Sequence, residues 1–240
     1  MGRDAVPPVL VVSCEHGGNR VPASWRPLFA RAGRLLATHR GLDRGAAPLA
    51  RRIARRFRVG PHVASVTRLV VDLNRSRHHK DLFSRFTRPL PAAERARILA
   101  RCYTPWRDRV ESEIAGHLAS GRTVFHLSVH SFTPVLRGRV RRTDVGLLYD
   151  PGRPSETGLA SRWLALLKER APRAVLRRNH PYRGTADGFM VHLRRRFPAS
   201  RYAGIEIEVS QKHVRAGGVF APRTAALVVE SLARLIGGPR

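Results

Sequence analysis

The sequence predicts an α/β domain built around a mainly parallel sheet. Apolar runs of strand length recur along the chain, and helical patterns separate them. Strands that alternate with helices make βα units, and such units assemble parallel sheets. A chain of 240 residues with 42% hydrophobic content can bury a full core, so one domain over residues 1–240 is expected.

The elements follow in order. Residues 8–13 (PVLVVS) read as a buried strand. Residues 44–57 (RGAAPLARRIARRF) read as a helix, because Leu49, Ile53 and Phe57 recur every four positions on one face. Residues 62–73 (HVASVTRLVVDL) hold one or two strands, the second over 68–72. Residues 92–119 form a long helix with a kink expected at Pro105. Strands follow at 123–130 (TVFHLSVH) and 145–149 (VGLLY), then a helix over 157–171 and a short strand near 174–178. Residues 186–197 read as helix, 202–209 (YAGIEIEV) as strand and 223–236 as the last helix. No repeat, low-complexity tract or linker interrupts the pattern.

Composition narrows the classes of function. No run of about 18 apolar residues is present, so no membrane span or membrane partner is expected. The apolar run near the N-terminus passes straight into SCEHGG and reads as strand, not signal peptide. Cys14 and Cys102 are too few for a disulfide framework or a cysteine-rich zinc site, and a cytoplasmic location is expected. The net charge of +28 invites a nucleic-acid reading. However, 42 of the 45 basic residues are arginine, they are spread along the whole chain, and aromatics are few. That fits a GC-rich coding bias. No specific nucleic-acid partner is expected, which leaves room only for weak, non-specific polyanion binding.

Ligands of open α/β sheets sit beyond the carboxyl ends of the strands. Four strands here end in groups suited to metal or acid–base chemistry. The first ends in Glu15-His16, the second in Asp72-Leu73-Asn74-Arg75, the third in His130-Ser131 and a late one in Glu206 and Glu208. His16 and His130 are the expected metal ligands, since imidazole suits zinc and catalytic zinc usually takes three protein ligands. The third should be a carboxylate, Asp43 or Glu15. An Asp at position 43 also fits a plain helix N-cap. His126 lies deeper in the His130 strand and reads as a supporting or core residue.

Asn74 and Arg75 can hold a substrate carboxylate, the guanidinium by forking onto it. Arg68 could polarise a carbonyl oxygen, and Asp72 could orient Arg75 or a metal ligand. Glu206 and Glu208 share a strand face, and two close carboxylates repel, so one can hold a proton at neutral pH. The later one is the better candidate for a general base. The loop RNHPYRGTADG offers Asn179, Tyr182 and Arg183 to close over a small carboxylate substrate, and HSFTPV can shape the pocket.

Taken in order, SCEHGGNRVP, HRGLDRGAAPLA, TRLVVDLNRS, HSFTPV, VGLLYDPGRPSE, NHPYRGTADG and GIEIEVSQ resemble the N-formylglutamate amidohydrolase family from about residue 9 to 215. That family belongs to a wider group of zinc carboxypeptidase-like and aspartoacylase-like hydrolases. The resemblance implies a three-layer α/β/α, phosphorylase/hydrolase-like fold with a mainly parallel mixed sheet. It also implies hydrolysis of an N-acyl amide, such as formyl on glutamate, by zinc-activated water. His16 and His130 would hold the zinc, Asn74 and Arg75 the substrate carboxylate, Glu208 would be the base and Arg68 would lie near the oxyanion. The wider group often carries His-x-x-Glu at its first ligand pair. Here the fourth position is Asn19, so the third ligand stays open between Asp43 and Glu15. The competing readings are a zinc metallopeptidase or cell-wall amidase, and a non-catalytic basic binding protein on a degenerate hydrolase scaffold.

Overall fold

Eight strands and seven α-helices are present in the computed structural model, which describes residues 7–237. The strands are β1 (Val9–Cys14), β2 (Pro61–Val63), β3 (Val124–Phe132), β4 (Val135–Leu136), β5 (Arg139–Val140), β6 (Val145–Leu148), β7 (Leu176–Arg178) and β8 (Tyr202–Ser210). The helices are α1 (Gly33–Leu36), α2 (Ala46–Phe57), α3 (Ala92–Ile98), α4 (Thr104–Ala119), α5 (Pro154–Arg170), α6 (Phe189–Arg196) and α7 (Pro222–Gly237). Six strands make one sheet in the order β2-β1-β3-β8-β6-β7, and β4 pairs with β5 in a separate hairpin. All neighbours in the sheet are parallel except β6 and β8, so the sheet is mainly parallel but mixed.

Alternation along the central strands sorts their side chains into two cores. Leu10, Val12, Phe125, Leu127, Val129, Ile205 and Ile207 face a layer containing α2, α5 and α7, with Trp163 and Leu232 fully buried there. Val11, Val124 and Tyr202 point the other way, onto a second core that takes in Ile98, Trp106 and Ile114 near α4 and Phe189 and Leu193 of α6. Helices therefore cover both faces, giving the three-layer α/β/α arrangement. Buried on both sides, β3 and β8 have no exposed residue at all.

The second expected strand, over 68–72, does not form. Its apolar residues are buried, but the backbone turns: the Val70 amide bonds back to the Thr67 carbonyl at 3.0 Å and the Asp72 amide bonds to the Leu82 carbonyl at 2.9 Å. The Ser84 and Thr87 hydroxyls donate to the Leu69 and Val70 carbonyls. Side-chain hydroxyls thus satisfy carbonyls that a neighbouring strand would otherwise take. A short apolar run cannot by itself distinguish the two solutions.

The long helix is interrupted by a π-helical stretch at Leu99–Tyr103, just before Pro105. Pro105 has no N–H, and its ring crowds the carbonyl of Arg101, so a widened turn there relieves the expected kink. The β4–β5 hairpin, α1 and a 3₁₀ segment at Ala23–Phe29 carried no periodic signal in the sequence.

One buried ion pair ties the helical layers to the sheet. Glu156, in the first turn of α5, is fully buried and accepts from Arg194 Nε at 3.0 Å on both oxygens. It also accepts from the Asp150 and Gly204 amides at 2.9 and 3.1 Å. Glu156→Ala would leave the Arg194 guanidinium buried without its anion. Urea unfolding should show a loss of about 3–5 kcal/mol, and a loss below about 1 kcal/mol would show that the backbone contacts of Arg194 suffice to hold it.

Candidate active site

The face of the sheet toward α4 and α6 changes character along the strands. Its amino-terminal half is Val11, Val124 and Tyr202, and its carboxyl half is polar. The parallel register sets Ser13 opposite Ser128, Ser128 opposite Glu206 and His130 opposite Glu208. Glu15 and His16 leave the end of β1 beside them. The glycines that follow serve the fold. A Cβ on Gly18 would stand 2.3 Å from the Ser65 carbonyl oxygen, so residues 17–20 can lie against the segment after β2 only without side chains there. The close approach is to backbone, not to a ligand.

His16, Asp43 and His130 form a buried cluster whose three ligand atoms lie within 4.8 Å of one another. Asp43 Oδ2 lies 2.8 Å from His130 Nδ1 and 3.4 Å from His16 Nδ1. Asp43 does not cap α2, since that role falls to Gly45 at φ +86°. Each imidazole turns its other nitrogen to a second carboxylate. His16 Nε2 lies 2.7 Å from Asp72 Oδ1, and His130 Nε2 lies 3.1 Å from Glu15 Oε2, although off the N–H axis. Glu15 is itself held by the Ser13 and Ser128 hydroxyls, and His126 bridges the Ser13 hydroxyl to that of Tyr202. Glu15 therefore stands behind His130, outside the cluster, while Asp43 faces into it.

The donor set suits a zinc-sized ion: two imidazole nitrogens and a carboxylate at separations that bonds of about 2.0–2.2 Å can bridge. Outer carboxylates of this kind fix ring orientation and tautomer in metal sites. Asp72→Asn is accordingly expected to weaken zinc binding about 10–100-fold without abolishing it. Competition against a zinc chelator dye measures this, and unchanged affinity would mean that Asp72 serves only Arg68 and the loop.

Electrostatics separate the carboxylates of the site into two groups. Burial works against ionised Asp43, yet the charges and hydrogen bonds of His16 and His130 hold its pKa below the usual range. Glu15, equally buried, is brought down to about 2 by His130 and Ser128. Burial opposes ionised Asp72 as well, and Arg68 and His16 outweigh it. On β8 the balance reverses. Burial pushes Glu206 up, and it pushes Glu208 up to about 8, with the charges of Asp43 and Glu206 adding to the rise. Glu208 Oε2 is buried with no hydrogen-bond partner among the described residues, an orphaned acceptor on the wall of the cavity.

That cavity measures about 200 Å³ and brings together His16, Asp43, His130, Glu206 and Glu208. Arg68, Asn74, Arg75, Tyr182 and Arg183 also line it. Arg68 donates Nε and Nη2 to Asp72 Oδ2 and brings Nη1 to 3.5 Å from Asp43 Oδ1. Asp72 thus braces His16 and Arg68, and Arg75 turns elsewhere: its Nη1 donates to the Asp187 carbonyl at 2.7 Å. The other N–H groups of Arg75 have no hydrogen-bond partner among the described residues.

Two residues expected to contact substrate are also engaged in holding the fold. Asn74 reaches the cavity, but Oδ1 accepts from the Phe189 amide at 2.7 Å and Nδ2 donates to Glu206 at 3.3 Å. It caps α6, whose own N-cap Gly188 has no side chain, and positions Glu206. Asn179 does not line the cavity at all. It sits at φ +48°, and its Oδ1 accepts from the Tyr149 and Gly184 amides at 3.0 and 2.9 Å. It holds the shape of the loop that presents Tyr182 and Arg183, as an Asn in the left-handed region can. His39 and Asp187 line the cavity without having been singled out from sequence. Neither sits at the end of a strand, so the strand-end rule could not find them.

Fold and site together define the class: an α/β/α protein with a buried His–Asp–His cluster and a free carboxyl group at the carboxyl ends of its central parallel strands. The chain belongs to the N-formylglutamate amidohydrolase family, whose model matches residues 9–214. Its structure resembles that of the gene product Atu2144 from Agrobacterium tumefaciens, at 27% identity and a TM-score of 0.79, over 96% of this chain and 89% of the other. It also resembles N-formylglutamate amidohydrolase from Ralstonia eutropha JMP134, with a TM-score of 0.69 over 97% of this chain and 93% of the other. At 20% identity the second likeness speaks for the fold alone. No curated protein matches the chain. Membership supports hydrolysis of the N-formylglutamate amidohydrolase type. No helix among the described residues is long and apolar enough to cross a membrane.

Proposed function

We propose that this protein is a zinc-dependent deacylase that hydrolyses the amide bond of an N-acyl amino acid, with N-formyl-glutamate as the model substrate. The observation that carries the reading is the orphaned Glu208 carboxyl group in the cavity lined by His16, Asp43 and His130. Zinc held by those three residues would polarise the scissile carbonyl, lower the pKa of a water to about 7 and favour the ionised form of Glu208. Glu208 takes a proton from the attacking water as the new C–O bond forms, then delivers it to the amide nitrogen as the C–N bond breaks. Arg68 Nη1, beside Asp43, donates to the carbonyl oxygen as charge develops on it. Arg75 and Arg183 bind the substrate carboxylates, and Tyr182 covers the mouth. Asn74 acts through Glu206 and α6. A cavity of about 200 Å³ suits a small N-acyl amino acid.

The test is formate release from N-formyl-glutamate by protein carrying one zinc per chain, and again after chelation. Turnover with zinc that disappears with the chelator and returns on reloading supports the reading. A fully loaded protein that releases no formate sinks it. Arg75→Ala should raise KM about 10–100-fold for N-formyl-glutamate, the worth of a charge-assisted hydrogen bond, with kcat little changed. An equal loss on the neutral diamide analogue would make Arg75 structural.

A further inference from the structure

A much larger cleft of about 1020 Å³ adjoins the small cavity, and Leu136 at the tip of the β4–β5 hairpin lines both. Six of the twelve residues lining the cleft are arginines: Arg137, Arg139, Arg141 and Arg142 from the hairpin side, and Arg177 and Arg178 at β7. None of the six forms a salt bridge among the described residues. The nearby Asp144 carboxylate is already taken by Lys212 at 2.8 Å and His213 at 2.7 Å. At the junction of the two spaces, Arg141 stacks on the Tyr182 ring at 5.2 Å and donates to its hydroxyl at 3.1 Å. Beyond β7 the basic track continues past Arg173 and Lys168.

We propose that this arginine-lined cleft binds an acidic oligopeptide, one end of which enters the catalytic cavity. The inference rests on reading that cavity as a site for a carboxylate-bearing amide, and it extends the substrate class from single N-acyl amino acids to acidic chains. Six unpaired guanidiniums in half of a cleft's lining exceed what the charge of the whole chain requires, and each can fork onto a carboxylate. β7 is the last strand of the sheet, so it offers unpaired backbone groups to an extended peptide. Val140, 71% exposed, offers an apolar contact beside the arginines. Phosphate would also match the charge, but among the described residues no Phe, Tyr or Trp lines the cleft to stack a base, and the Tyr182 ring at the junction is covered by Arg141.

Fluorescence anisotropy of fluorescein-labelled hexaglutamate on the zinc-loaded protein tests the inference. Binding is expected at about 50 mM salt and should weaken as salt screens the cleft. The exposed triple variant Arg139→Gln, Arg177→Gln, Arg178→Gln should bind at least about 10-fold more weakly, with kcat/KM for N-formyl-glutamate unchanged as the control for folding. Unlabelled hexaglutamate should inhibit turnover competitively in the wild type and at least about 10-fold less well in the variant. Equal binding by the variant, equal binding of hexaglutamine, or binding without competition would each overturn the inference. So would displacement of the label by a ten-nucleotide oligothymidylate at lower concentration than by hexaglutamate, which would assign the cleft to nucleic acid. If the wild type does not turn over N-formyl-glutamate, the proposed activity fails, while anisotropy still decides the cleft.

Discussion

Glu208→Gln is expected to keep the fold and the bound zinc while kcat for N-formyl-glutamate falls about 10²–10⁴-fold, the usual contribution of a positioned acid–base group. Glutamine preserves the size of the side chain but cannot accept the proton of the attacking water. KM should change little, because the loss lies in the transition state. Glu206→Gln should cost less, since the Glu206 carboxylate accepts from Asn74 and stands 3.8 Å from His130 Nε2. A dead Glu206→Gln beside an active Glu208→Gln would exchange their roles, and two active variants would leave the mechanism without its base.

The same substitution has a signature independent of activity. Burial raises the folded-state pKa of Glu208 from 4.5 to about 8 in the metal-free protein. Between those values the folded protein binds more protons than the unfolded chain, so this group costs stability as pH rises through the window. Glutamine does not ionise. Metal-free Glu208→Gln should therefore match the wild type near pH 4.5 and exceed it by a few kcal/mol at pH 8. Thermal melts of both proteins at pH 5, 6.5 and 8 measure the gap. A gap that stays flat as pH rises would mean that the carboxyl group ionises freely in the folded state.

His130→Ala should hold less than about a tenth of an equivalent of zinc and lose at least about 10³-fold in activity, because two remaining ligands hold a catalytic ion poorly. It would also leave the buried Glu15 without its imidazole neighbour, while Asp43 keeps His16 and Arg68, a cost of up to about 3–5 kcal/mol for a buried charge that loses its partner. His130→Gln, which keeps volume and a donor, separates the two effects: it should fold better than the alanine variant and still fail to hold zinc. Asp43→Asn should behave likewise, whereas Glu15→Gln should only weaken the site about 10–100-fold. Full zinc occupancy in His130→Ala would remove His130 from the ligand set.

The order of elements was legible in the sequence because periodicity is a local property. PVLVVS, TVFHLSVH and YAGIEIEV became β1, β3 and β8 within a residue or two, and the spacing of Leu49, Ile53 and Phe57 became the buried face of α2. The same alternation put His130 and Glu208 on known strand faces, and the strand-end rule pointed to His16, His130 and Glu208; Arg75 was reached through a strand that does not form. The stretch at 68–72 escaped this logic. Its apolar residues are buried as expected, but the partners of its backbone lie in residues 82–87, and nothing local announces them.

Sequence alone thus determined the six strands of the main sheet, the longer helices and the polar groups that close the central strands. Register and distant contacts decided which carboxylate meets which imidazole. Glu15 adjoins His16 in the chain yet stands behind His130, while Asp43, 27 residues from His16, enters the cluster and Asp72, 56 residues away, braces the ring. Asn74 and Asn179 looked equally fit for substrate, and tertiary structure alone shows that one also caps α6 and the other also holds a loop. Arg137, Arg139, Arg141 and Arg142 are already neighbours in the sequence, but only the meeting of the β4–β5 hairpin with β7 brings Arg177 and Arg178 to the same cleft. Hydrogen-bonding periodicity is written between near neighbours, but charge acts through space, so its partners are fixed only when the chain has folded.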